Sequence, residues 1–260
     1  MRRACIASIG IVFALAISAT SVQAAQDVGR CLESAYPGIV QALDTHSILV
    51  RGQRLPLSKA NEPDFDKRLN QAGLYDQLEQ RYPLGFEAPA FNYDPGRMRN
   101  GAFFNIMYGD SAEAVRRQLV PVFWAPSGTR VPFTSANGAN LKLEAVGHEL
   151  AQYPELKRYM AKPNGSFNYR VVAGTQRKSP HSYGMTIDFD LPKGLNMYWR
   201  WSGCRDGERC AYPPKLLNDP ILQKIVGIFE KHGFIWGGKW YHFDSVHFEY
   251  RPELLINECR

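Results

Sequence analysis

The 260 residues suffice for one large domain, or for a domain with an extension, and no segment beyond the first 24 approaches the length needed to cross a bilayer. The 31 basic and 25 acidic residues leave a formal charge of +6, but the basic ones are dispersed. No lysine-arginine tract of the kind that follows phosphates occurs, so nucleic acid is not an expected partner. A mild positive excess suits work near an anionic polymer such as a cell wall, and solubility alone accounts for it equally well. The chain opens with MRRAC, a positive stretch, then apolar IGIVFALAISA, then VQA before Ala25. This order predicts a secretory signal peptide over residues 1–24, cleaved after Ala24, and a periplasmic or secreted mature chain with no integral membrane segment. Cys5 leaves with it, and loss of Arg2 and Arg3 lowers the formal charge to +4.

Residues 25–83 read as a helical N-terminal extension, with Leu69, Leu74 and Leu78 near helical spacing. LGFEAPAFNYDPG, rich in proline, glycine and aromatics, reads as an ordered loop opening a second unit, 84–260. SAEAVRRQLVPVFW reads as a helix capped by serine, and NLKLEAVGHELAQY as a second helix ending before Pro154. FNYRVVAG alternates like a strand, and so does MTIDFDL, where Ile187 and Phe189 take one face and Thr186, Asp188 and Asp190 the other. Residues 192–218 form a long insertion. NDPILQKIVGIFEKHG is the clearest helix, with Asn218 or Asp219 as cap, Pro220 in its first turn and Gly233 as terminator. FIWGGKWYHFD then reads as strand, glycine turn and strand. Helices followed by mixed short strands and helices predict an α+β fold.

Four cysteines remain after cleavage: Cys31, Cys204, Cys210 and Cys259. In an exported chain an even count predicts disulfides, with a local Cys204–Cys210 bridge around RDGER leaving Cys31 and Cys259 to join the two ends. A cysteine zinc cluster is the competing reading, but the spacings fit no common pattern.

Of six histidines, His46 and His232 read as solvated or helix-terminal, and His148 lies in HELAQ, where Gln152 replaces the second histidine of a HExxH site. His181 and His247 differ, because each sits at the end of an element where ligands from separate strands can converge. With Asp188 they would give zinc two imidazoles and a carboxylate and leave a position open for hydrolysis. Asp244, three residues before His247, is the expected general base. His242 reads either as a cleft residue or as a surface one. Spacing by itself leaves open the alternative that these are unrelated strand-end and surface side chains.

SPHSYGMTIDFD followed by WGGKWYHFDSVHFEYRPEL resembles the paired signatures of one zinc metallopeptidase family, the D-alanyl-D-alanine carboxypeptidases and L-alanyl-D-glutamate endopeptidases. The pattern S-x-H-x-x-G-x-x-x-D with a distant D/E-x-x-H falls on Ser179, His181, Gly184, Asp188, Asp244 and His247, and Thr186 stands where many relatives have alanine. The resemblance implies a small antiparallel-sheet core of the D-Ala-D-Ala carboxypeptidase and Hedgehog-like type. It implies Zn2+ held by His181, Asp188 and His247, with Asp244 as catalytic acid/base. It also implies an arginine near the substrate carbonyl, for which Arg170 is the first candidate and Arg177 its rival. Peptidoglycan stem peptides are the expected partner. A zinc-binding wall-recognition protein that has lost hydrolysis is the alternative, although Asp244, the residue such a protein would lose, is present. A structural zinc domain with four protein ligands is a third reading. Which bond is cut depends on whether something in the cleft, such as the 192–218 insertion, reads a terminal carboxylate.

Overall fold

A computed structural model describes residues 28–192 and 194–260, so the expected signal peptide lies outside the described residues. Helix α1 runs through residues 28–35. A three-stranded antiparallel meander follows, β1 Val40–Ala42, β2 Ser47–Val50 and β3 Gln53–Pro56. This corrects the expectation of a purely helical segment over 25–83. The signal was local: SILV is β-prone, and Arg51 and Gly52 both take positive φ, 48° and 77°, as the two-residue turn between β2 and β3 requires. Short helices α2 Phe65–Arg68 and α3 Leu74–Glu79 complete this part.

Helix α4 (Gly101–Tyr108) is capped by Asn100, whose side chain accepts from the Phe103 N–H. The expected helix from Ser111 is shorter than its pattern suggested. α5 (Ala112–Arg116) ends, and VPVFW becomes β4 (Leu119–Trp124), paired with β5 (Thr129–Thr134). Pro121 cannot sit inside a helix, and the flanking valines and aromatics favour the strand. Helix α6 (Ala139–Ala151) packs against this hairpin, and α7 (Pro154–Met160) follows.

The sheet that carries the site has the order β6-β7-β9-β8, with every pair antiparallel: β6 Pro163–Gly165, β7 Thr186–Phe189, β8 Phe234–Trp236 and β9 His247–Tyr250. FNYRVVAG is not one of its strands. Residues 167–174 form a loop that exchanges backbone hydrogen bonds with the segment 177–181, including Asn168 N–H to the His181 carbonyl at 3.1 Å. Nor do residues 240–246 form a strand after the Gly237–Lys239 turn, so Asp244 sits on a loop that leads into β9. Between β7 and β8, helix α8 (Pro214–Asn218) ends the insertion and α9 (Pro220–Lys231) follows it. Asp219 caps α9 by accepting from the Ile221 and Leu222 N–H groups at 3.0 and 2.9 Å.

The core lies between α9, the β4–β5 hairpin and one face of this sheet. Phe229 stacks on Phe248 at 3.9 Å between centroids, and Trp124 meets Phe189 at 5.1 Å. The same apolar cluster takes in Leu32, Tyr36, Ile48 and Val50 from the N-terminal part, all fully buried. The expected pairs Cys31–Cys259 and Cys204–Cys210 are both bridged. Mixed helices and antiparallel sheets make the fold α+β.

Candidate metal centre

Alternation along β7 and β9 decides which side chains leave the core. Ile187, Phe189, Phe248 and Tyr250 point into it, so Thr186, Asp188, His247 and Glu249 share the opposite face. Register then sets Asp188 directly opposite His247. A one-residue slip would bury the carboxylate among phenylalanines.

His181 reaches the pair from the short 3-10 turn Pro180–Tyr183, which ends at Gly184. Gly184 has φ +63°, and a Cβ there would come within 2.4 Å of the Leu119 side chain, so the path between His181 and β7 calls for glycine. His181 Nε2 lies 3.3 Å from His247 Nδ1 and 3.2 Å from Asp188 Oδ2, and His247 Nδ1 lies 3.0 Å from Asp188 Oδ1. With one donor atom taken from each, the three side chains lie within 4.8 Å of one another, close enough to hold a metal ion between them. They are the one such group of histidine, cysteine and acidic side chains among the described residues.

Burial alone would raise the Asp188 carboxyl, but hydrogen bonds from His181 and His247 outweigh it and hold the group well below the usual range. Burial would lower His247, and its hydrogen bonds to Asp188 and Glu249 bring it instead to about 10. A cation bound by these groups would compete with the His247 proton.

Asp244 stands next to this group. Its N–H donates to the Gly237 carbonyl, and its backbone bridges to Tyr198 of the insertion. Burial pushes its carboxyl up to about 6, with Asp188 adding to the rise and His247 opposing it. A carboxyl tuned there can both take and return a proton near neutral pH.

Arg170 is exposed and lines the same cleft as His181 and Asp188. The buried Ser182 hydroxyl holds its backbone, accepting from the Arg170 N–H at 2.9 Å and donating to its carbonyl at 2.7 Å. Arg177 donates to the Arg97 carbonyl at 3.0 Å and does not line that cleft. His242 is buried rather than on the surface. Asp94 accepts from its backbone N–H at 2.9 Å and meets its Nδ1 at 2.5 Å, while Trp199 packs edge-on at 4.6 Å. His148 is exposed on α6, and His232 caps α9 against Glu149 at 2.8 Å.

Three contributors had no role in the sequence reading: Ser182, Asp94 and Glu249. Only Glu249 carried a usable signal, since it lies two residues beyond His247 and therefore on the same strand face.

Residues 173–250 match the family described as D-alanyl-D-alanine carboxypeptidase, a segment that contains His181, Asp188, Asp244 and His247 but not Arg170. The match covers under a third of the chain and is a similarity of that segment to the family. No curated protein and no solved structure matches the chain.

Proposed function

We propose that the protein is an exported zinc peptidase that hydrolyses peptide bonds in peptidoglycan stem peptides, as a D,D-carboxypeptidase or an L-alanyl-D-glutamate endopeptidase. In this reading residues 1–24 direct export, 25–83 form an extension, and 84–260 form the peptidase domain around a D-Ala-D-Ala carboxypeptidase and Hedgehog-like core. Two disulfides suit an oxidising compartment, and no helix among the described residues is long and apolar enough to cross a membrane.

The observation that carries the reading is the convergence of His181, Asp188 and His247 within 4.8 Å beside a carboxyl of raised pKa. His181 Nε2, His247 Nδ1 and an Asp188 oxygen would hold the ion. Zinc in such a site polarises the scissile carbonyl and acidifies water. Asp244 accepts a proton from the attacking water and passes it to the leaving amine, so one water is consumed and a carboxylate and an amine are released. The Arg170 guanidinium, on the cleft wall, offsets the negative charge that develops on the carbonyl oxygen.

The test is mass spectrometry of muropeptides after incubation with the zinc-loaded protein. Loss of a terminal D-alanine identifies the carboxypeptidase, and release of the stem after L-alanine identifies the endopeptidase. An unchanged spectrum from protein carrying stoichiometric zinc would overturn the enzymatic reading in favour of a wall-recognition module.

A further inference from the structure

His247 uses Nδ1 toward Asp188 and His181, while its other ring nitrogen, Nε2, lies 3.4 Å from Glu249 Oε2. From Glu249 a line of buried charges continues along β9 and past its end. Arg251 donates through Nη1 to Glu249 Oε1 at 2.9 Å and through Nε to Glu253 Oε1 at 2.6 Å. Glu253 is then held by the N-terminal part: the Tyr36 hydroxyl donates to Oε2 at 2.6 Å, and Gln77 Nε2 donates to Oε1 at 3.2 Å. Arg99 Nη1, 3.5 Å from Glu249 Oε2, and the Gly96 carbonyl, 2.7 Å from Arg251 Nη1, complete the surroundings. Glu249, Arg251, Glu253 and Tyr36 are wholly buried, and Gln77 is 1% exposed.

Such a chain is a poor way to gain stability, because the desolvation of buried charges consumes most of their mutual attraction and apolar side chains would fold as well. What it does provide is fixed orientation. Each oxygen of Glu249 and Glu253 has a partner, so neither carboxylate can turn without leaving a buried charge unpaired. A histidine that ligates a metal commonly donates its second N–H to a carboxylate, which sets the tautomer and the ring plane. Glu249 stands where that carboxylate belongs, and the relay extends its anchorage to residues 36 and 77.

We propose that Glu249, Arg251, Glu253, Tyr36 and Gln77 form a positioning relay for His247, so that the N-terminal segment is part of the metal centre's support rather than a separate module. The proposal rests on the reading of His181, Asp188 and His247 as zinc ligands. Tyr36 and Gln77 are positioning residues, because they touch neither metal nor substrate.

The experiment measures zinc affinity of the full chain by competition with a chromophoric chelator, and the visible absorption of the Co2+-substituted protein. Denaturant unfolding of the metal-free protein is followed in parallel. Glu249→Gln is expected to weaken zinc binding by roughly 10–100-fold, and the more distant Tyr36→Phe and Glu253→Gln by roughly 3–10-fold, each with an altered cobalt spectrum. If Tyr36→Phe and Glu253→Gln lower the unfolding midpoint yet bind zinc as tightly as the unaltered protein, the relay is only structural and the proposal is wrong. Should Tyr36→Phe fail to fold, Glu253→Gln, which keeps the side chain's size, decides alone. If the unaltered chain takes up no zinc, or His181→Ala binds it equally well, the metal reading itself falls, and the relay with it.

Discussion

The two faces of the β6-β7-β9-β8 sheet are built from adjacent residues and obey opposite rules. On one, Phe189, Phe248 and Phe234 pack against Phe229 and Trp124, where area removed from water stabilises the fold and polar partners are unnecessary. On the other, Asp188, His247 and Glu249 lie buried or nearly so, and each is held by a named partner. The strand period of two places Phe248 between His247 and Glu249, so one register delivers core and chemistry together. The apolar face tolerates approximate shapes, while the charged face depends on individual atoms.

This contrast is sharpest at Asp244. Asp244→Asn keeps the shape and removes the proton acceptor, so turnover is expected to fall about 10²–10⁴-fold while zinc stays bound and the unfolding midpoint at neutral pH does not fall, because a carboxylate whose burial opposes folding is lost. Full turnover with zinc bound would remove Asp244 from its assigned role. On the opposite face, Phe229→Ala should do the reverse. It deletes a fully buried ring, at a cost of about 3–5 kcal/mol in denaturant unfolding, while the molecules that remain folded retain the zinc affinity of the parent. A matching loss of zinc affinity would show that the two faces are not separable.

Ser182→Ala tests a smaller effect. It leaves the Arg170 N–H and carbonyl without their hydroxyl partner, at about 1–3 kcal/mol, and should raise KM more than it lowers kcat if Arg170 serves the substrate. An unchanged KM would detach the Arg170 loop from binding. The smallest effect concerns acid. Burial would raise Asp94, but Arg97 and the hydrogen bond to His242 hold its carboxyl below the ordinary value. A depressed carboxyl adds stability that is complete above its unfolded value of about 3.9 and is lost as pH falls through the folded one. The unfolding midpoint should therefore decline on acidification below about pH 4, and Asp94→Asn should flatten that decline; an identical slope in the variant would assign it to other carboxylates.

The candidate site was legible in the sequence because its residues sit in two short segments whose spacing is local. His181, Gly184 and Asp188 share one turn and strand, and Asp244 and His247 share a loop and the strand after it. The α9 cap at Asp219 and both disulfides were legible for the same reason: short-range patterns or small numbers of choices. The β1–β3 meander was missed because its only signals, SILV and the Arg51–Gly52 turn, are brief beside the helical spacing further on. FNYRVVAG alternated like a strand, yet its backbone partners lie in 177–181, so it closes as a loop. His242–Asp94 and Tyr36–Glu253 join residues 148 and 217 positions apart, and no local pattern announces such contacts.

That last separation has a consequence for timing. Synthesis delivers Tyr36 long before Glu253, and Cys31 must wait across 228 positions for Cys259. His181 and Asp188 likewise precede His247 by 66 and 59 positions. A nascent or unfolded chain thus carries His181, Asp188 and His247 without the assembled group, which forms only with the final closure of the fold. Under the proposed function, a peptidase made in one compartment for use in another would in this way be kept silent by its own topology until it folds.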